Sequence, residues 1–248
     1  MLEIRDLTVE VQGRTVLRDI NMTIMSGYTA VLFGPNGSGK STLLMSIMGF
    51  SNYDIVEGEI LFNGTDITHM PINERASRGI GMMLQRPPNI TGIKLGDLVR
   101  VAGGNGEDPK KMAEPLDMER FLDRDVNVGF SGGELKRSEL LQLKAQNPCL
   151  LLLDEPESGV DLESIKRVGR TIRELLDKDV DCPGMRRDEE KSALVITHTG
   201  DILDYLDADR AYVMCNGTIT CTGNPQELLR EISTRGYEEC IRCRLQRS

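Results

Sequence analysis

Ala30-Val31-Leu32-Phe33-Gly34-Pro35-Asn36-Gly37-Ser38-Gly39-Lys40-Ser41 decides the fold. The apolar run Ala30 to Phe33 is short and unbroken, as in a strand whose sheet is covered on both faces. It leads into Gly34-x-x-x-x-Gly39-Lys40-Ser41, and Lys40 to Met48 then reads as a helix. Strand, glycine-rich loop and helix in that order is the setting in which this spacing cradles phosphate. Glycines let successive backbone N–H groups turn inward on phosphate oxygens. The following helix aims its positive end at the same anion. In that geometry Lys40 reaches the β- and γ-phosphates of a nucleotide, and the Ser41 hydroxyl ligates Mg²⁺. The expected nucleotide contacts are therefore Gly34, Pro35, Asn36, Gly37, Ser38, Gly39, Lys40, Ser41 and Thr42. The bland alternative, a glycine turn followed by an incidental Lys-Ser, needs pattern and context to coincide by chance.

Working outward, Leu2 to Val9 alternates as a strand with one buried face, and Val16 to Met25 reads as another. Glu59 to Phe62 enters an Asn63-Gly64 turn. The stretch from about Pro87 to Val128 holds Gly103-Gly104-Asn105-Gly106 and no strong strand, and reads as a small helical insert. Ser131 to Leu143 is expected as a helix and Cys149 to Leu153 as a buried strand. Leu162, Ile165, Val168, Ile172, Leu175 and Leu176 recur at helical spacing. Lys178 to Lys191 is polar and reads as a surface loop, Ala193 to Ile196 as a further buried strand. Asn224-Pro225-Gln226-Glu227 carries a cap, Pro at the first helical position and Glu three after the cap, so a helix starts there. Apolar strands alternating with helices imply an α/β fold with a mainly parallel core sheet, beside an N-terminal antiparallel β subdomain. One domain over residues 1–248 is expected, with a helical subdomain inserted at about residues 87–146.

Leu150 to Leu153 ends in Asp154 and Glu155. A core strand delivers such a pair to the sheet's carboxyl edge, where ligands bind in open α/β sheets. Asp154 fits an outer partner of Mg²⁺, and Glu155 fits the group that orients and activates an attacking water. Phe130-Ser131-Gly132-Gly133-Glu134 is the other informative stretch. Ser131-x-x-Glu134 is a capping box that opens a helix. Two glycines at that helix start also leave its positive end open to an anion. One chain thus carries two phosphate-facing helix starts, which implies a nucleotide held between two subunits.

Bulk properties exclude several classes. Net charge is −9, which disfavours a nucleic-acid-coating role. No apolar run approaches the roughly 20 residues of a membrane helix. The charged start Met1-Leu2-Glu3-Ile4-Arg5-Asp6 is no secretory signal. The six Cys form no dense framework, so free cytoplasmic thiols are expected. Cys240-x-x-Cys243 with Cys215 and Cys221 is a weak candidate for a metal site.

Taken in order, these motifs resemble the ATP-binding-cassette ATPases over nearly the whole chain, with the P-loop NTPase fold that this implies. The resemblance assigns further roles. Gln85, after a strand, matches the family glutamine that ligates Mg²⁺ and water and senses the partner. Ser131-Gly132-Gly133-Glu134 resembles the family signature, and Asp154-Glu155 the acidic pair. Ser158-Gly159-Val160-Asp161 looks like the loop that communicates across a dimer, and His198 like the switch histidine that contacts γ-phosphate. The implied activity is ATP hydrolysis with Mg²⁺, with Glu155, His198 and Gln85 catalytic. Two copies would sandwich two ATP head to tail, Ser131, Gly132, Gly133 and Asp161 of one completing the phosphate loop of the other.

Within the family the chain is most similar to the SufC-type ATPases of iron–sulfur cluster assembly. The resemblance lies in Val126 to Glu134 with Lys136-Arg137, in Asn52 to Gly58, in Ile202 to Leu206 and in Gly236-Tyr237. No aromatic stands near Val11-Gln12-Gly13-Arg14 to stack on adenine. The implied partner is a soluble SufB- or SufBD-like scaffold, with a cytoplasmic location and no membrane insertion. Pro156 and a short helical insert depart from the SufC pattern. The competing reading is the nucleotide-binding subunit of a membrane transporter.

Overall fold

In a computed structural model, which describes residues 1–104, 108–176 and 190–237, β1 (Leu2–Val11) and β2 (Arg14–Ile24) form an antiparallel hairpin. Leu2, Ile4, Leu7 and Val9 all face the core. That set skips a step between Ile4 and Leu7, and the backbone absorbs it as a bulge at Asp6, with φ of 49°. Asn21 fastens the bulge, donating to Asp6 at 3.0 Å and to Asp19 at 2.9 Å. β3 (Thr29–Phe33) is buried along its whole length and runs into the phosphate loop, after which α1 (Lys40–Met48) begins. β4 (Asp54–Phe62) and β5 (Thr65–Asp66) complete the N-terminal antiparallel sheet in the order β2-β1-β4-β5.

α2 (Ile72–Ser77) is short, and its Arg75 is buried. The guanidinium donates to the carbonyls of Ser46 and Ile47 at 2.8 Å, Thr68 at 2.9 Å and Met70 at 2.7 Å. It so joins the C-terminal end of α1 to the turn after β5. Burial pushes its pKa down to about 10, which leaves it charged at neutral pH.

β6 (Ile80–Met83) is followed by the helical insert: β7 (Ile90–Lys94), α3 (Leu95–Ala102), α4 (Pro109–Ala113), β8 (Asp125–Val126) and α5 (Gly132–Gln146). The insert has a small core of its own, with Leu95, Val99, Met118, Phe121 and Leu141 buried together. Its sequence shows no strong strand, yet β7 pairs antiparallel with β8, Ile90 opposite Val126 and Lys94 opposite Asp125. β7 is mostly exposed, so no apolar alternation marks it, and the 2.7 Å Lys94–Asp125 ion pair ties it down instead.

β9 (Leu150–Asp154), α6 (Leu162–Leu175), β10 (Ser192–Ile196), β11 (Arg210–Cys215), β12 (Thr218–Gly223) and α7 (Pro225–Arg235) complete the described elements. The core sheet has the order β12-β11-β3-β10-β9-β6, parallel except for β12. Both faces are covered: Leu43 and Ile47 of α1 pack with Leu32, Leu152 and Leu194, while Ile165, Val168 and Ile172 of α6 pack with Phe33, Leu153 and Val195. This is the α/β fold expected from the sequence, with the antiparallel β layer beside it. One member of the α6 stripe is misplaced, since Leu162 is 75% exposed. It lies about 90° around the helix from the centre of the buried stripe, by 100° per residue. Asn224 caps α7 as its sequence predicts, accepting from Gln226 at 2.9 Å and Glu227 at 3.2 Å. Nearly all of the polar loop expected over Lys178 to Lys191 lies outside the described residues, as do Cys240 and Cys243.

Candidate active site

The parallel strands β3, β9 and β10 deliver their C-terminal ends to one edge of the sheet, and the phosphate loop and both acids stand there. Gly37 and Gly39 have φ of 76° and 106°, in the left-handed region. A side chain on Gly34 would run into the Met214 carbonyl of β11, so the loop also needs that glycine for close approach. Lys40 is 5% exposed, and its Nζ donates to the carbonyls of Gly34 at 2.8 Å and Pro35 at 3.0 Å. Burial holds its pKa below the ordinary lysine value, against the opposing pull of Glu155 and Asp154. The loop opens on a cavity of about 520 Å³, lined by Val16, by Asn36 to Thr42 in part, and by Gln85, Glu155 and His198. The cavity therefore brings together the loop, the expected glutamine, glutamate and histidine.

Asp154 is 2% exposed, and its Oδ1 has no hydrogen-bond partner. Burial raises its pKa, while a hydrogen bond from Ser41 lowers it. A buried, unsatisfied carboxylate oxygen beside a serine hydroxyl is a hard-oxygen set suited to Mg²⁺. Among the described residues no cluster of His, Cys, Asp and Glu makes a closed metal cage.

Glu155 sits at φ of 49°, a conformation that costs a non-glycine residue about 1 kcal/mol or more. Its N–H donates to the Ile196 carbonyl at 3.1 Å, which ties the end of β9 to the end of β10. Its carboxylate accepts from the Gln85 amide and also contacts His198 Nε2. Thr197, before that histidine, donates its hydroxyl to Glu157, and its oxygen accepts from the Gly200 N–H at 2.9 Å. Lys136 is a site residue that sequence reasoning missed. It is 3% exposed on α5, and its Nζ donates to the carbonyls of Gln85 at 3.3 Å and Glu155 at 3.2 Å. One turn on, Glu139 accepts from the Leu84 N–H at 3.4 Å, and burial pushes its pKa up to about 7.

Ser131, Gly132, Gly133 and Asp161 do not line this cavity. Ser131 is the N-cap of α5, and its N–H donates to the Glu134 carboxylate at 2.7 Å. That bond holds the Glu134 pKa down. A side chain on Gly132 would overlap the Gly159 carbonyl, so the loop after β9 packs directly on this helix start. Asp161 caps α6, accepting from the Ser164 N–H at 2.9 Å. The approach to Ser131 is braced by Arg124, which donates to the Val128 carbonyl at 2.9 Å and lies 4.9 Å over the Phe130 ring.

A family model described as ABC transporter matches residues 17–158. The probable ATP-dependent transporter ycf16 of Cyanophora paradoxa is 36% identical over 254 residues, covering 96% of this chain and 93% of that protein. A probable ABC transporter ATP-binding protein of Streptococcus pyogenes is 35% identical over 251 residues, with the same shares of 96% and 93%. Among solved structures, a nucleotide-free ATP-binding cassette from an ABC transporter superposes with a TM-score of 0.76 at 25% identity, covering 97% of this chain and 98% of that one.

Proposed function

Because this chain belongs to the ABC transporter family of ATP-binding cassettes, we propose that it is the ATPase subunit of a SUF-like iron–sulfur cluster assembly complex. As a member of that family it binds ATP with Mg²⁺ and hydrolyses it. In the proposed complex, turnover drives a conformational change in a SufB- or SufBD-type scaffold. The observation that carries the proposal is the build of the segment before the signature. Asn127, one of the SufC-like residues, is buried at φ of 63° and donates to the Pro88 carbonyl at 3.0 Å. Gly129 has φ of 70°, and Phe130 packs on Phe121 with centroids 4.8 Å apart. The residues that carry the resemblance thus shape the loop instead of decorating it.

The residue roles are those that the family resemblance implies, and the cavity that Lys40, Ser41, Gln85, Glu155 and His198 share supports them. When nucleotide enters, Lys40 exchanges the carbonyls of Gly34 and Pro35 for phosphate oxygens. Ser41 and Gln85 would hold Mg²⁺ with Asp154 behind them, and the ion would supply positive charge against that of the phosphates. Glu155 orients the attacking water as base, and His198 turns toward the γ-phosphate. Both changes require the carboxylate to release its hold on Gln85 and His198. Ser131 to Gly133 and Asp161 of a second copy complete the cavity, since this copy's own do not reach it. ATP favours that closed head-to-tail pair and hydrolysis reopens it, a population shift in which the ligand binds one state better. The chain acts as one unit over residues 1–248, in the cytoplasm; among the described residues no helix is long and apolar enough to cross a membrane.

The second reading, a nucleotide-binding subunit of a membrane transporter, is favoured by the names of the similar proteins. Affinity capture from native lysate separates the two. Recovery of a SufB-like soluble scaffold is expected. A polytopic membrane protein as the stoichiometric partner overturns the cluster-assembly reading.

A further inference from the structure

Away from the nucleotide cavity, a second cavity of about 280 Å³ lies between the turn Glu114–Leu116, α5 and α6. Its apolar lining comes from Leu116, Leu140 and Val168. Three arginines face it as well: Arg137 from α5, and Arg167 and Arg170 from α6. The Nε of Arg137 is buried without a hydrogen-bond partner. Arg170, one turn along α6 from Arg167, makes no hydrogen bond or ion pair among the described residues. Arg167 is held by Asp117 at 2.9 Å and Glu163 at 3.4 Å, both exposed pairs. Glu174 is the remaining carboxylate on the rim, exposed and without an ion pair among the described residues.

Arg137 and Arg170 bring two cationic side chains to one cavity, and a ligand that enters can accept from their guanidinium groups. The planar fork of Arg matches a carboxylate through paired, charge-assisted bonds. The volume falls just below the roughly 300–1,000 Å³ range of small-molecule sites, which limits the ligand to a small one. Apolar walls beside the cations suit a ligand with a carbon body. We propose that this cavity binds a small organic carboxylate, its anionic end between Arg137 and Arg170 and its carbon chain on Leu116, Leu140 and Val168. The bound anion joins the helix that starts at Ser131 to the helix that follows Asp161, and so braces the signature against the core.

The test titrates succinate into the full chain, with saturating ADP and Mg²⁺ keeping anions off the phosphate loop. Chloride at matched ionic strength is the control, and inorganic phosphate is the second probe. The readout is the methyl NMR signals of Leu116, Leu140 and Val168. Saturable shifts with succinate are expected, weakened roughly tenfold in Arg170→Gln through loss of one charge-assisted contact. Arg137→Gln should remove them. Arg170→Gln changes an exposed residue outside the ATPase machinery, keeps basal turnover unchanged, and decides the question by itself if Arg137→Gln does not fold. No saturable shift, or one of equal affinity in Arg170→Gln, overturns the proposal. Phosphate binding as tightly as succinate also overturns it, since the carbon body would then contribute nothing.

Discussion

The phosphate loop and the Ser131–Glu134 helix start are both glycine-opened N-termini, yet they are finished to different degrees. At the first, Lys40 is buried, the loop carbonyls are occupied, and a cavity faces Gln85, Glu155 and His198. At the second, Ser131 and Gly132 are exposed, their support comes from beneath through Gly159, and the nucleotide cavity does not include them. One region is a preformed pocket with a left-handed backbone at Glu155. The other packs on Gly159 from beneath and does not line the nucleotide cavity. The difference teaches that nucleotide affinity and turnover should be separable by mutation, each following one of the two regions.

The largest effect is expected at the pocket. Glu155→Gln should keep ATP affinity and lower steady-state turnover by roughly 10²–10⁴-fold, the usual contribution of a positioned general base. Normal phosphate release by that variant would remove Glu155 from the mechanism. Lys40→Ala should act on binding itself, weakening ATP by about 10–100-fold through loss of charge-assisted bonds to phosphate. Isothermal titration measures this, and unchanged affinity would break the pocket half of the contrast. Gly132→Val should do the opposite, leaving ATP affinity of the isolated chain intact. Its turnover should fall about tenfold, because the added side chain meets the Gly159 carbonyl and displaces the helix start proposed to complete a second copy's site. A Gly132→Val chain with poor ATP affinity and normal turnover would invert the contrast.

The smallest effect belongs to the joint between the regions. Glu139 lies on the signature helix and accepts from Leu84, next to Gln85. Its folded pKa, about 7, stands above the ordinary glutamate value of 4.5. Between those pH values the folded chain keeps a proton that the unfolded chain has lost, so stability falls as pH rises through the window and stays lower above it. Glu139→Gln should therefore raise the thermal midpoint at pH 8, by about 1–3 kcal/mol of stability, and make little difference near pH 5. Equal gains at both pH values would show that the carboxylate is not the cause.

Much of the fold was legible because its signals are local. Buried strands such as Leu150 to Leu153 are wholly apolar, and Ser131 and Asn224 announce helix starts. The strand β7 was not legible, because an exposed strand held by an ion pair has no periodic pattern. In the site, the spacing of the phosphate loop is set by backbone geometry and is therefore readable. Lys136 and Glu139 are not, since charged residues in a helix read as solvent-facing, and only the fold shows that they lie beneath Gln85 and Glu155. The left-handed backbone of Glu155 is equally silent in sequence, because no glycine or asparagine marks it.

Arg75 has a consequence at a distance. α1 would meet the phosphates of a bound nucleotide with its positive end, while its last carbonyls, those of Ser46 and Ile47, rest on the Arg75 guanidinium. The helix is thus a dipole terminated at both poles, anion at one end and guanidinium at the other, about 13 Å apart at 1.5 Å per residue. Nucleotide departure bares one pole only, and the far pole stays neutralised, so the loop has less reason to unwind while it waits. A lysine could match the charge of Arg75 but not its reach, since a single ammonium offers three donors from one point and cannot span carbonyls on both sides of the turn.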